Sequence, residues 1–262
     1  MVVRIILYDK LYNFSNEAQK QNLLSRYKKY LHGLIQGFSE TQIQIRKVRK
    51  IDNRVEVLID GPEEIFVRNI LRSEVGSVHN FEDLKEGNIL KGTLVDVGKV
   101  GFGLFLDCGI VNPVTDLFIP LFTLREQLAE DTQKSLRDIV NAYDFIDHFP
   151  LFVEISKING EEENIEAKIA PESMKIFSKI MNENIDGLFF SGETKGQFKK
   201  ALIQQGHLQD IISLERYGFL EHLVLLTEDT NAPGVITEIG KYLPNCKFSV
   251  LNPKRMKALK QH

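Results

Sequence analysis

The stretch Lys91-Gly-Thr-Leu-Val-Asp-Val-Gly-Lys-Val-Gly-Phe-Gly-Leu-Phe-Leu-Asp-Cys-Gly109 constrains the fold of this chain more than any other segment. It reads as two β-strands, each apolar on one face, joined by a turn containing Gly98, Gly101 and Gly103. Alternation along the second strand sends Leu104 and Leu106 to one face and Phe105 to the other. A small twisted barrel with aromatics on its open face offers unpaired bases a stacking surface. Single-stranded RNA is therefore the first partner the segment suggests.

The chain has 262 residues, enough for two or three small domains with cores of their own. Its apolar and charged fractions, 43% and 26%, are those of globular proteins and exclude disordered and fibrous classes. No apolar run approaches the roughly 18 residues of a membrane span. The opening Met-Val-Val-Arg-Ile-Ile-Leu-Tyr-Asp reads as a first strand rather than a signal peptide. Cys108 and Cys246 lie far apart in sequence and indicate neither a disulfide framework nor a thiol metal site. The expectation is a cytoplasmic protein with no cofactor and no membrane partner.

Net charge is −3, but it is unevenly spread. Residues 1–80 carry 13 Lys and Arg against 9 Asp and Glu, whereas residues 81–170 carry 8 against 17. Residues 171–262 return to 12 against 10. An acidic middle between mildly basic flanks suggests three units.

In the first, residues 1–80, a strand over 2–8 precedes a helix capped by Ser15, whose buried face is Leu23, Leu24, Tyr27, Leu31, Leu34 and Ile35. A hairpin turns at Asp52-Asn53, and Pro62 opens a second helix burying Ile65, Phe66, Ile70 and Leu71. The order β-α-β-β-α predicts a ferredoxin-like α/β sandwich. The second unit, residues 84–170, is all-β apart from a helical insertion at about 122–147. The third, residues 171–262, is a linker helix followed by a second ferredoxin-like βαββαβ domain and a basic tail, Lys254 to Lys260. The predicted class is α+β with an all-β middle.

Motifs that carry catalysis are missing from the sequence. There is no Gly-x-x-x-x-Gly-Lys-Ser/Thr, no His-Glu-x-x-His and no Cys-x-x-Cys, and the six histidines lack ligand spacing. His207 and His222 share the third unit without a third ligand beside them. The expectation is a protein that is not an enzyme and holds no metal.

Residues 84–170 resemble an S1-type RNA-binding domain of the OB-fold class. The resemblance rests on Phe102-Gly-Leu-Phe-Leu-Asp-Cys-Gly109, on Leu117-Phe-Ile-Pro-Leu121, and on the closing strands Leu151–Ile158 and Ile165–Ile169. It implies base stacking on Phe102, Phe105 and Phe118, with Lys168 as the basic residue of the last strand. The acidic balance departs from that pattern, because phosphate neutralisation supplies most non-specific affinity for nucleic acid. Alone, such a barrel is a poor RNA binder. The densest basic cluster, Arg46, Lys47, Arg49, Lys50 and Arg54, is the candidate help, with the C-terminal tail second.

Over nearly its full length the chain also resembles an archaeal family designated domain of unknown function 2110. The segments that carry this are Asp60–Asn69, Gly206–Ile212, Glu215–His222 and Thr230–Ile236. The resemblance implies an archaeal cytoplasmic protein and no activity. The function expected is a non-catalytic RNA-binding factor acting on single-stranded or structured RNA, or on a ribonucleoprotein, in translation or RNA processing. One alternative is an adaptor docking its acidic barrel on a basic protein partner. Another is a small-ligand regulator, since Leu225–Gly240 resembles the Asp-x-Pro-Gly segment of ACT domains, where a helix N-terminus holds an amino-acid carboxylate.

Overall fold

The computed structural model describes residues 2–261, which form two compact units, residues 2–78 with Gly218–Leu220, and His79–Tyr217 with residues 221–261. The class is α+β with a closed five-stranded β-barrel.

The first unit runs β1 (Val3–Lys10), α1 (Glu17–Leu34), β2 (Gln42–Val48), β3 (Arg54–Asp60) and α2 (Glu64–Glu74). Its antiparallel sheet has the order β1-β3-β2. Ile5, Leu7, Ile43, Val55, Val57 and Ile59 point to the helices and pack on Tyr27, Leu31, Val67 and Leu71. Asn16, not Ser15, caps α1: its side chain accepts from the Gln19 N–H at 2.9 Å, while Gln19 accepts from the Ser15 N–H at 2.7 Å. Gln19, three residues past Asn16, thus donates its N–H to the cap side chain while its own side chain reaches back to the residue before the cap. A second correction concerns α2. Leu71 is buried as expected and Ile70 is half-buried, but Ile65 and Phe66 are exposed, and Val67 takes their place in the core. Val67 and Leu71 are spaced i, i+4 and share the core stripe, which turns the two preceding residues toward solvent.

The second unit contains β4 (His79–Asn80), β5 (Ile89–Val95), β6 (Gly103–Val111), β7 (Thr115–Pro120), α3 (Leu121–Ala129), α4 (Leu136–Tyr143), β8 (Pro150–Asn159) and β9 (Asn164–Ile169). Strands β5, β6, β7, β9 and β8 close into the barrel, with β7 and β9 parallel and the other neighbours antiparallel. There follow α5 (Pro171–Glu183), β10 (Gly187–Ser191), α6 (Lys195–Gln205), β11 (Ile211–Arg216), β12 (Glu221–Leu226), α7 (Ala232–Ile239), β13 (Lys247–Leu251) and α8 (Pro253–Leu259). The last four strands form an antiparallel sheet of order β11-β12-β10-β13.

Strands β10 and β12 are buried along their whole length, which explains the apolar runs at 188–190 and 223–226, although Ser191, Glu221 and His222 are buried with them. Leu188, Phe190, Val224 and Leu226 pack with α6 and α7. Phe189, Leu223, Leu225 and Leu251 instead join one continuous core with the barrel, α4 and α5. The basic C-terminal segment is not a free tail. It is α8, with Met256 and Leu259 buried in that core, because an apolar pair at i, i+3 gives even a Lys-rich helix a face to bury.

Candidate nucleic-acid interface

On β6, Leu104, Leu106 and Cys108 fill the barrel while Phe105 and Asp107 stand half-buried on its outer face. On β7, Leu117 and Ile119 point in and Phe118 points out. The β6–β7 register places Phe105 directly opposite Phe118, with ring centroids 5.0 Å apart. Phe102, in the turn before β6 and 58% exposed, completes the group at 6.2 Å from Phe105 and 5.6 Å from Phe118. The three phenylalanines singled out in the sequence thus meet in one patch.

Gly103 makes this packing possible. A Cβ there would lie 2.3 Å from the Phe118 ring and 2.4 Å from the Ile119 carbonyl oxygen. Phe102 is tied down by its carbonyl, which accepts from the Leu121 N–H at 2.9 Å. Phe122, 67% exposed in the first turn of α3, follows immediately and was not singled out by sequence. Read as the start of an amphipathic helix it looks like core; only the direction of α3 shows that it faces solvent.

The surroundings of the patch are acidic. Glu166 on β9 is the register partner of Phe118 across the parallel pair, and Asp107 lies two residues from Phe105 on the same face. Lys168 is bound to Glu154 at 3.1 Å, so its charge is locally matched. At the β5–β6 turn, Lys99 binds Asp96 at 2.6 Å and Asp147 accepts from the Val97 N–H at 2.9 Å. An open cleft of about 520 Å³ beside this turn is lined by Val97, Val140, Phe145, Ile146 and Phe248, with Lys247 and Asp147 as its charged residues.

The basic hairpin lies in the first unit and divides into two sets. Arg49 and Arg54 are held by Asp52 at 3.3 and 3.6 Å, and the buried Arg54 guanidinium lies 5.4 Å from the Tyr8 ring centre. Arg46 and Lys47 instead surround the fully buried carboxylate of Glu56, which Arg4 of β1 also contacts at 2.8 Å. Burial pushes the Glu56 carboxyl up, but the Arg46 hydrogen bond and the charges of Arg4, Arg46 and Lys47 outweigh it and hold it below its ordinary value. Lys50 is exposed at the hairpin turn. Arg4 was not among the candidates because it lies 42 residues before Arg46 in the sequence.

The remaining candidates are occupied by structural roles. At the start of α7, Asn231 accepts from the Gly234 N–H and Asp186 accepts from the Ala232 N–H, both at 3.1 Å. Asp186 thus sits where a ligand carboxylate would bind in the ACT-like reading. His207 lies between Asp210 at 2.7 Å and Glu238 at 3.1 Å. His222 is buried in β12 with its ring stacked on Phe190, and burial pushes its pKa down to about 3. Among the described residues no group of three or more His, Cys, Asp or Glu is placed to hold a metal, and no helix is long and apolar enough to cross a membrane.

Two family profiles match the sequence, the DUF2110 central domain over residues 84–181 and the DUF2110 C-terminal domain over residues 185–251. No curated protein matches. Solved structures similar to this chain include an uncharacterized protein of Methanocaldococcus jannaschii, at 16% identity and TM-score 0.23, covering 34% of this chain and 96% of that one. The a/eIF2alpha–aDim2p–rRNA complex of Pyrococcus horikoshii gives 12% identity and TM-score 0.26, covering 47% and 64%. The intact alpha subunit of aIF2 from Pyrococcus abyssi gives 11% identity and TM-score 0.25, covering 65% and 98%.

Proposed function

The chain belongs to the DUF2110 family, a membership that assigns no activity, and from the site itself we propose that it is a non-catalytic RNA-binding factor. In this reading it acts in an archaeal cytoplasm on single-stranded or structured RNA within a translation or RNA-processing assembly. The observation that carries it is the outward cluster of Phe102, Phe105 and Phe118 on a closed barrel.

We take the barrel as S1-like, of the OB class. Its strand order, β5-β6-β7-β9-β8, and the helices between its third and fourth strands support that assignment. We take the β-α-β-β-α-β segment from β10 to β13 as ferredoxin-like, supported by its strand order, and the first unit as the same motif without its last strand.

Exposed rings on such a barrel stack bases at about 1–3 kcal/mol each. At about 2 kcal/mol each, two or three bases give about 4–6 kcal/mol, which is affinity from about millimolar to tens of micromolar. The carboxylates beside the rings repel phosphate, so binding draws on cations elsewhere in the chain or on a partner in the assembly. A second reading keeps the same patch but gives it a basic protein as partner; Glu166 beside Phe118 favours it.

The test is titration of a mixed-sequence single-stranded RNA into wild type and Phe105→Ala at two salt concentrations. The RNA reading expects weaker binding by the variant at both. Equal affinity, or no binding by wild type at low salt, excludes stacking on this face. Recovery of basic proteins without RNA in a native pull-down selects the second reading.

A further inference from the structure

We propose that the open face of the three-stranded sheet in the first unit is a phosphate-binding surface for single-stranded RNA, formed by Arg4, Arg46 and Lys47. This rests on the RNA reading above, but on different residues.

Three observations carry it. The first is a bulge. Regular alternation would send Arg46 and Lys47 to opposite faces of β2, but the β2–β3 register shifts between Ile45 and Lys47. Ile43, Ile45 and Val48 stay on the helix side, and the two cations emerge together on the other, where both reach Glu56. Bulges of this kind re-aim side chains.

The second is an excess of charge. Three cations from two outer strands converge on one carboxylate of the strand between them, leaving two positive charges uncompensated. Glu56 is wholly buried, whereas the side chains of Arg4, Arg46 and Lys47 are 55%, 48% and 55% exposed. All three cations stabilise the buried carboxylate, but its single charge balances only one of them, and the excess cations also repel one another where no further anion meets them. Guanidinium donors not aimed at Glu56 remain for phosphate oxygens, which the Arg fork fits.

The third separates RNA from an acidic protein. Protein interfaces concentrate their affinity in apolar and aromatic anchors. On this face Ile6 and Leu58 are only partly exposed and Tyr8 is buried beside Arg54; none of the exposed large apolar residues lies on β1, β2 or β3. Charge without an apolar centre suits a phosphate backbone, whose binding is mainly electrostatic.

The experiment uses the full chain and a mixed-sequence single-stranded RNA, with affinity measured across a salt series. The double variant Arg46→Gln/Lys47→Gln is expected to lower the slope of log affinity against log salt by about 1.4, near 0.7 for each phosphate no longer neutralised. Arg49→Gln, whose side chain is committed to Asp52, should leave the slope unchanged. If the double variant melts early, Arg4→Gln on the other strand replaces it, with an expected decrease of about 0.7. An unchanged slope in a folded variant overturns the proposal, as does displacement of the RNA by polyglutamate at the same charge concentration as by polyphosphate. Phe105→Ala in the same series separates the two sites. A barrel-only defect leaves the slope intact, and a reduced slope with normal Phe105→Ala binding retains this surface while removing the barrel.

Discussion

Phe105 and Phe118 face each other across β6 and β7 with ring centroids 5.0 Å apart, and the backbone of Gly103 leaves the space that the Phe118 ring uses. The aromatic patch therefore depends on a residue with no side chain. A cross-strand aromatic pair contributes roughly 0.2–1 kcal/mol to the sheet. Half-exposed rings also leave apolar area in water, a cost that a stacked base removes.

Gly103→Ala tests this dependence. The added Cβ meets a ring at 2.3 Å and a backbone carbonyl at 2.4 Å, so β6 or β7 must shift. Overpacking of this kind costs about 1–3 kcal/mol. Chemical denaturation should show a lower midpoint, and RNA binding should weaken with the displaced Phe118. Gly101→Ala, whose Cβ would meet nothing within 4 Å, is the neutral control.

Phe102→Ala separates binding from folding. Phe102 is 58% exposed and contributes little to the core, so the melting temperature should hold. If its ring stacks a base, RNA affinity falls by about 5- to 150-fold, corresponding to 1–3 kcal/mol. The salt slope stays constant because the same phosphates remain neutralised. Fluorescence anisotropy across a salt series measures both.

Asp186 joins three segments of the second unit. Its carboxylate accepts from the Ala232 N–H at 3.1 Å and the Asn252 side chain at 2.9 Å, and its carbonyl accepts from the Leu226 N–H at 3.0 Å. Asp186→Ala should destabilise the protein by about 1–3 kcal/mol, since the buried Ala232 N–H loses its partner. Free amino acids should leave the wild-type melting curve unmoved, because this carboxylate already occupies the start of α7. A shift of the wild-type melt with any amino acid would restore the regulator reading.

His207 makes stability depend on pH. Its hydrogen bond to Asp210 is the largest influence, and with the contribution of Glu238 it outweighs burial and raises the pKa above the ordinary 6.5. A raised folded-state value means the stabilisation is fully present below about 6.5 and lost as pH rises through the folded value. The melting temperature of wild type minus that of His207→Gln should therefore shrink as pH is raised from 6 toward 9. A difference that grows over that range contradicts the assignment.

Legibility in the sequence followed the strength of local patterns. Phe105 was readable from period-two alternation on β6, whereas Phe102 and Phe118 came from the S1 resemblance. Alternation alone would give Phe102 the inward face of Leu104 and Leu106, and only the turn before β6 brings it out. The strands β10 and β12 were visible as apolar runs, though not the two cores they separate. Ile65 and Phe66 misled because an apolar pair in a short helix does not indicate which way the helix is turned. The C-terminal Lys and Arg residues misled for the opposite reason: Met256 and Leu259 carry the packing while the charges remain outside.

By itself the sequence determined most of the elements, the paired strands around Gly98–Gly103, the outward face of Phe105 and the acidic balance of the middle region, all properties of neighbouring residues or of composition. Only the tertiary structure decided which charges remain available. Arg46, Lys47, Arg49 and Arg54 are equivalent in sequence, yet two are held by Asp52 and two gather with Arg4 around Glu56. The physical reason is that ion pairing depends on distance in space. A bulge of one residue and the pairing of β1 with β3 set that distance, and neither is written in any local pattern.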